Sequence, residues 1–295
     1  MTSTPEYRHL ELKPTGASFG IEVTNIDLAR PQSDAVWEEI IRAYLDHRVM
    51  VFRGQELEPE HIVAASKRFG YTEAHIDSGY LLDGYPEIIK IGNLKVDGVM
   101  RSLFVNAREE WHFDYSYVKT PSIGALFYAV EIPPEGGDTL FADSTAAFDA
   151  LDDAEKEWLR PLVAVHSWEE LHRQLEAMDP TRKPLSAAAK AKYPPVRQPL
   201  VHKHPDTGRE SLWLCPQVIL EIEGMEREET RALVDRLQAH TISAPFHLRH
   251  KWRKGDLVVW DNRAVLHTAT VFDYERHLRL LYRTTILAEA PAAAA

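Results

Sequence analysis

Trp111-His112-Phe113-Asp114 places an imidazole and a carboxylate two positions apart. In an extended segment, residues i and i+2 leave the chain on the same face. His112 and Asp114 can therefore aim a ring nitrogen and a carboxylate oxygen at one point. The triplet alone is weak evidence, because a chain with 14 histidines can contain His-x-Asp by chance. A second histidine arriving from elsewhere would complete a facial set of two imidazoles and one carboxylate, with positions left open for a chelating cosubstrate and O2. His267 is the candidate. It follows a strand-and-turn pattern, Asp256 to Arg263 (DLVVWDNR), late enough to return from the opposite side of a barrel.

Two features accompany this trio. In Gly136-Gly137-Asp138-Thr139 the glycines read as a hairpin turn, while the Thr139 hydroxyl, at the start of a strand, could donate to a carboxylate. Arg279 and Arg283 follow in a strand-like run, and a spacing of four keeps both on one face. Two guanidiniums on a buried face are costly without anions, and their planar forks suit carboxylates or sulfonates. The plain alternative is a solvated face paired with Asp or Glu. Other residues read as support: Trp260, Asp261 and Asn262 brace the turn before His267, and His166 and Trp168, after a strand, could line the pocket, with core packing the favoured reading. His202, His204, His247 and His250 show no ligand spacing.

The elements that must position these groups are legible from pattern. Strands are expected at Gly20–Ile26, Arg48–Phe52 and Glu87–Ile91, with helices at Ser33–His47, capped by Ser33, and Pro59–Phe69, where Pro59 needs no N–H. Beyond residue 120, strand signals dominate: Ile123–Ile132, Thr139–Ala142, Leu200–Lys203, Ser211–Cys215, Phe246–Trp252, Asp256–Trp260 and Leu280–Leu287. Helices Ser144–Leu162 and Glu226–His240 interrupt them. The Pro-, Lys- and Ala-rich stretch Met178–Pro195 reads as a mobile, lid-like insertion, within a region near 170–197. The fold class is mainly β with flanking helices and a jelly-roll core, in a single domain over 1–295.

Composition narrows the partners. A formal net charge of −11 repels phosphate backbones, so no nucleic acid is expected, and an anionic substrate would need local Arg or metal charge. No apolar run is long enough to span a bilayer, and residues 1–7 lack the apolar core of a signal peptide. The single cysteine, Cys215, excludes an intramolecular disulfide. A cytoplasmic enzyme is expected, with no membrane partner.

From about Thr15 to Leu287 the sequence resembles the taurine dioxygenase / 2,4-dichlorophenoxyacetate dioxygenase family of Fe(II)/2-oxoglutarate enzymes. The resemblance is carried by Val51-Phe-Arg-Gly-Gln55, Phe69-Gly70, Trp111 to Asp114, Gly136 to Thr139, His204-Pro205, Trp260 to Arg263, His267, Arg279 and Arg283 to Leu287. It implies a double-stranded β-helix, with His112, Asp114 and His267 binding Fe(II), and Thr139 and Arg279 holding the distal carboxylate of the cosubstrate. It also implies Arg283, and more loosely His75, as contacts of the prime substrate. Two departures stand out. The interval from His267 to Arg279 is one residue longer than in the taurine branch, and Arg108 stands where taurine-type members often have Asn, so Arg108 is a further substrate-contact candidate. The implied reaction consumes 2-oxoglutarate and O2, releases succinate and CO2, and hydroxylates a small anionic substrate; a new hydroxyl beside a heteroatom would release an alcohol, phenol or sulfite. Phe141-Ala-Asp143 and Ala146 to Leu151 lie closer to the phenoxyalkanoate branch, which favours a carboxylate such as an aryloxyalkanoate. Taurine-type alkylsulfonate or alkyl sulfate oxidation is the alternative. A non-oxygenase jelly-roll binding protein and a zinc hydrolase are remoter ones. Homo-oligomers are common in such a family.

Overall fold

The computed structural model describes residues 7–72, 78–104, 110–178 and 184–290. Of the residues singled out from sequence, His75 and Arg108 lie outside these, as do residues 179–183 of the expected insertion.

Two sheets form the core. The larger is nine-stranded and runs in the order Leu12–Pro14, Ile21–Val23, Val49–Phe52, Leu257–Asp261, Gly124–Glu131, Leu280–Leu287, Tyr85–Gly92 and Leu81–Leu82, with Tyr71–Thr72 also paired to Leu280–Leu287. The smaller is three-stranded, in the order His247–His250, Thr139–Asp143, Val265–Ala269, and an isolated antiparallel bridge joins His112 to His267 at its free side. The chain crosses between the sheets from Gly124–Glu131 to Thr139–Asp143. It then crosses at each step from His247–His250 through Leu257–Asp261 and Val265–Ala269 to Leu280–Leu287. That alternation is the winding of a double-stranded β-helix, and it yields the mainly β architecture expected from the strand pattern.

Period-two alternation decides what faces the space between the sheets. Phe141 and Val265 from the small sheet meet Val51, Val258, Trp260 and Leu281 from the large one. Their neighbours Leu140, Ala142 and Leu266 turn outward to Trp111, Phe113 and Trp213. Thr139 and His267 share the inward parity of Phe141 and Val265. Arg279 and Arg283 share that of Leu281, because the register shift opposite Leu280 and Leu281 falls on the Gly124–Glu131 strand and leaves Leu280–Leu287 regular. The polar site is therefore built on the inward faces of two sheets whose apolar residues exclude water. Each large side chain buried there contributes roughly 1.5–3 kcal/mol to holding the sheets together.

Helices Asp34–His47 and Pro59–Phe69 cover the other face of the large sheet, burying Ile40, Tyr44 and Ile62 against Met50, Phe52 and Ile286. The Ser33 hydroxyl accepts from Val36 N–H at 3.4 Å, and Pro59 occupies the first turn, as the sequence signals require. A fourth apolar cluster joins strands Val163–His166 and Ile219–Ile222 to helix Arg227–Thr241 through Leu159, Ile219, Val234 and Leu237. Among the described residues no helix is long and apolar enough to cross a membrane.

Two expectations are corrected. Ser144–Leu162 is two helices, Ser144–Asp149 and Asp153–Leu159, because the Asp152 carboxylate accepts from Glu155 N–H at 2.8 Å and starts a new helix. Gly136-Gly137 does not close a hairpin: the strands on either side of it belong to different sheets. The insertion region contains regular structure, namely helices Trp168–Met178 and Ala187–Lys192 and strand Val196–Pro199, which pairs with Val163–His166.

Gly92 ties the fold to the site. It adopts φ +144°, and a Cβ there would stand 1.8 Å from the Arg279 carbonyl oxygen. Gly92→Ala must therefore push the Arg279 backbone away or strain the sheet. The expected cost is about 3 kcal/mol, read as a lower urea or thermal midpoint; an unchanged midpoint would show that the strand yields freely here.

Candidate active site

His112 and His267 face each other across two reciprocal backbone bonds, His112 N–H to His267 O and His267 N–H to His112 O, both 3.1 Å. Residues opposed in an antiparallel pair project to the same face, and the two imidazole centroids lie 4.3 Å apart. Asp114 completes the set: Oδ1 is 3.8 Å from His112 Nε2 and Oδ2 is 3.7 Å from His267 Nε2. One donor atom from each residue falls within 4.8 Å of the others, so the trio read from sequence converges and could hold a metal ion.

Its chemistry suits a divalent cation. His112 Nδ1 is 2.9 Å from the Glu110 carbonyl, an acceptor that fixes the proton on Nδ1 and leaves the Nε2 lone pair free. Burial drives the His267 pKa down to about 3, assisted by His112 and Arg283, so its imidazole is neutral at ordinary pH. Burial alone would raise the Asp114 pKa, but Arg283 foremost, then His267 and His112, outweigh it and hold the carboxyl at about 2. A neutral imidazole at His267 and an ionised carboxylate at Asp114 are in the states a metal needs before it binds. The His112 side chain is 39 % exposed against 7 % for Asp114 and 8 % for His267, so the approach to the trio lies on the His112 side.

Asn262 holds the carboxylate in place. Fully buried, it accepts the Asp114 N–H at 2.9 Å through Oδ1 and donates through Nδ2 to the Asp114 and Ser122 carbonyls, both at 2.9 Å. Just beyond, Tyr115 takes a left-handed conformation, φ 57°, so the chain leaves the ligand through a strained residue. Trp260 packs on His267, with ring centroids 4.7 Å apart. Asp261 receives Arg263 Nη2 and stands 2.8 Å from His204 Nε2. Trp260 braces His267 as the sequence pattern suggests, whereas Asn262 braces Asp114. His204, for which sequence offered no partner, belongs to this buried network.

Arg279 and Thr139 form the second part. Arg279 is buried, and its Nε donates to the Gly137 carbonyl at 3.0 Å. Burial pulls its pKa down to about 10, and Asp138, the nearest acid acting on it, is itself ion-paired with Arg249 at 2.6 Å. Among the described residues no carboxylate lies within ion-pair distance of Arg279, so this buried cation is ready for an external one. Gly137, at φ +66°, is required: a Cβ would stand 3.0 Å from Arg279 Cδ and Nε. Two residues on, the Thr139 hydroxyl accepts from Trp252 Nε1 at 2.9 Å, which leaves its own proton to donate. Arg283 points elsewhere, its Nη2 lying 2.8 Å from Asp114 Oδ2.

Asn262→Ala would leave the buried Asp114 N–H and the Ser122 carbonyl unpaired, while the Asp114 carbonyl would keep only the Ser122 hydroxyl at 3.2 Å. The expected result is a loss of about 3 kcal/mol in stability together with a ten- to hundredfold weaker Mn(II) affinity, on the order typical of residues that orient metal ligands. Calorimetric titration and thermal melting measure both. An unchanged metal affinity would mean that Asn262 supports the fold without aligning Asp114.

Comparison with known proteins agrees with this geometry. The sequence profile "Taurine catabolism dioxygenase TauD, TfdA family" matches residues 9–285. The (S)-phenoxypropionate/alpha-ketoglutarate-dioxygenase of Delftia acidovorans is 33 % identical over 288 residues, covering 90 % of this chain and 91 % of that protein. The alpha-ketoglutarate-dependent 2,4-dichlorophenoxyacetate dioxygenase of Cupriavidus pinatubonensis is 33 % identical over 282 residues, covering 92 % and 96 %. Among solved structures, AAD-2 in complex with Mn(II) and N-oxalylglycine superposes with a TM-score of 0.77 at 29 % identity, covering 97 % of this chain and 100 % of that one. The chain belongs to the TauD/TfdA family of dioxygenases.

Proposed function

We propose that this protein is an Fe(II)- and 2-oxoglutarate-dependent dioxygenase that hydroxylates a small organic monoanion, with an aryloxyalkanoate-type carboxylate as the favoured substrate. The observation that carries the reading is the convergence of His112, Asp114 and His267, together with a buried guanidinium, Arg279, that among the described residues has no carboxylate partner. Iron bound by the trio, with 2-oxoglutarate and O2, supplies the oxidising power: one oxygen atom enters a substrate C–H bond, the other enters succinate, and CO2 leaves.

This chain's residues bind and orient. Arg279 and the Thr139 proton receive the distal carboxylate of 2-oxoglutarate. Arg283, inward-facing and close to the trio, receives the substrate anion and so sets which carbon is presented for oxidation. The packed walls between the sheets exclude water from the reacting groups. Charge supports a monoanion. Two guanidiniums and a divalent ion against Asp114 leave three positive charges, which a 2-oxoglutarate dianion and one monoanionic substrate cancel. The aryloxyalkanoate preference is supported by the two relatives at 33 % identity, named for phenoxypropionate and 2,4-dichlorophenoxyacetate. His75 and Arg108 remain proposed contacts of the substrate. A single catalytic domain working in the cytoplasm, as a homo-oligomer, completes the reading.

The test is succinate release by anaerobically iron-loaded protein given 2-oxoglutarate and O2, with a panel of aryloxyalkanoates, alkylsulfonates and alkyl sulfates. The expected result is succinate stoichiometric with oxidation of an aryloxyalkanoate; oxidation confined to a sulfonate or sulfate would replace the substrate class. Arg279→Met is expected to raise the 2-oxoglutarate KM at least about tenfold, and Arg283→Met to raise the substrate KM more than that of 2-oxoglutarate. The reverse pattern would exchange the two assignments.

A further inference from the structure

Three aromatic side chains near the trio take part in none of the apolar clusters that hold the fold together. Tyr117 lies just beyond Asp114 in the chain, Trp168 opens helix Trp168–Met178, and Tyr193 directly follows helix Ala187–Lys192. Tyr117 and Trp168 have ring centroids 4.6 Å apart at 39°. Tyr193 stands edge-on to Tyr117 at 6.1 Å and 90°, and lies 5.9 Å from Trp168 at 57°. All three are partly buried, yet each is missing from the four hydrophobic clusters. Their packing serves no described core.

We propose that Tyr117, Trp168 and Tyr193 form a subsite for the aromatic ring of the prime substrate, placed beside the Arg283 anion site; this rests on the aryloxyalkanoate reading. Position supports it. Tyr117 is close enough to Asp114 and Arg283 for both charges to act on its phenol, which burial keeps protonated. In an aryloxyacetate the ring is separated from the carboxylate by a methylene and an ether oxygen. An anion held by Arg283 therefore leaves its ring in the neighbourhood of Tyr117. The segment carrying Tyr117 is also anchored: Gln198 Nε2 donates to the Ser116 and Val118 carbonyls at 3.3 and 3.0 Å, so the strand Val196–Pro199 fixes this wall relative to Asp114.

A second observation points to an occupant. Among the described residues, the buried Tyr193 hydroxyl has no hydrogen-bond partner. A buried donor left unpaired is costly and calls for an explanation, and a ring bearing an acceptor substituent would supply its partner. Aromatic pairs prefer offset or edge-to-face arrangements, which gain beyond simple area burial. A tyrosine edge set perpendicular to a second tyrosine, with an indole against both, offers these geometries to a flat ring and not to an alkyl chain of equal length.

The test uses protein loaded with Mn(II) and 2-oxoglutarate under argon, so that binding is read without turnover. Phenoxyacetate and butoxyacetate are titrated by calorimetry into the wild type, Trp168→Leu and Trp168→Phe. The wild type is expected to favour phenoxyacetate by about tenfold. Trp168→Leu should remove most of that margin, and Trp168→Phe should restore it in a protein of similar volume and unchanged melting behaviour. A margin that survives in Trp168→Leu overturns the subsite while leaving the aryloxyalkanoate reading intact. A wild type with no preference for the aryl compound overturns both.

Discussion

Two reciprocal backbone hydrogen bonds between His112 and His267 fix the geometry on which the site depends. They are the whole of an isolated bridge, yet they force two imidazoles separated by most of the β-helix onto one face at van der Waals spacing. Once that pair is set, alternation carries Asp114 to the same face, and Asn262 locks its backbone. A rotation of either segment by one residue would turn its part of the trio outward, into the layer occupied by Trp111, Phe113 and Leu266. The apolar residues on the outer face hold this register as firmly as the ligands require it.

The same space collects unusual charge. Among the described residues the buried Arg279 has no carboxylate of its own, and Arg283 leans on Asp114. Such an arrangement costs stability in the protein alone, a cost that bound anions and a divalent ion would offset. The fold tolerates it because its other buried charges are paired internally: Arg48 with Asp143 at 2.7 Å, and Arg263 with Asp261 at 2.8 Å. The uncompensated positive charge is confined to the region where a dianionic cosubstrate and a monoanionic substrate would bind. An acidic protein of net charge −11 thus presents a local site for anions.

Much of this was legible in the sequence wherever the signal is local. His112 and Asp114 declare themselves by a spacing of two, helices Asp34–His47 and Pro59–Phe69 by their caps, and Leu280–Leu287 by alternation. The break at Asp152 also had a local signal, an acidic cap three residues before Glu155, hidden inside a continuous helical pattern. What could not be read depends on distant partners. Asn262 and Asp114 are 148 positions apart, and His204 and Asp261 are 57 apart. Gly136-Gly137 carries an ordinary turn signal, but a turn does not say which sheet receives the next strand. The role of Gly137, making room for Arg279 and accepting its Nε–H, exists only once both sheets are in place.

The central claim is that the trio holds a metal which in turn completes the 2-oxoglutarate site. The most direct measurement is the stoichiometry and affinity of Mn(II) under argon, with and without 2-oxoglutarate, in the wild type and His267→Ala. The account predicts one Mn(II) per chain, bound more tightly when 2-oxoglutarate is present, and loss of both binding and coupling in His267→Ala. Metal binding that survives in His267→Ala, or 2-oxoglutarate binding indifferent to the metal, would contradict it.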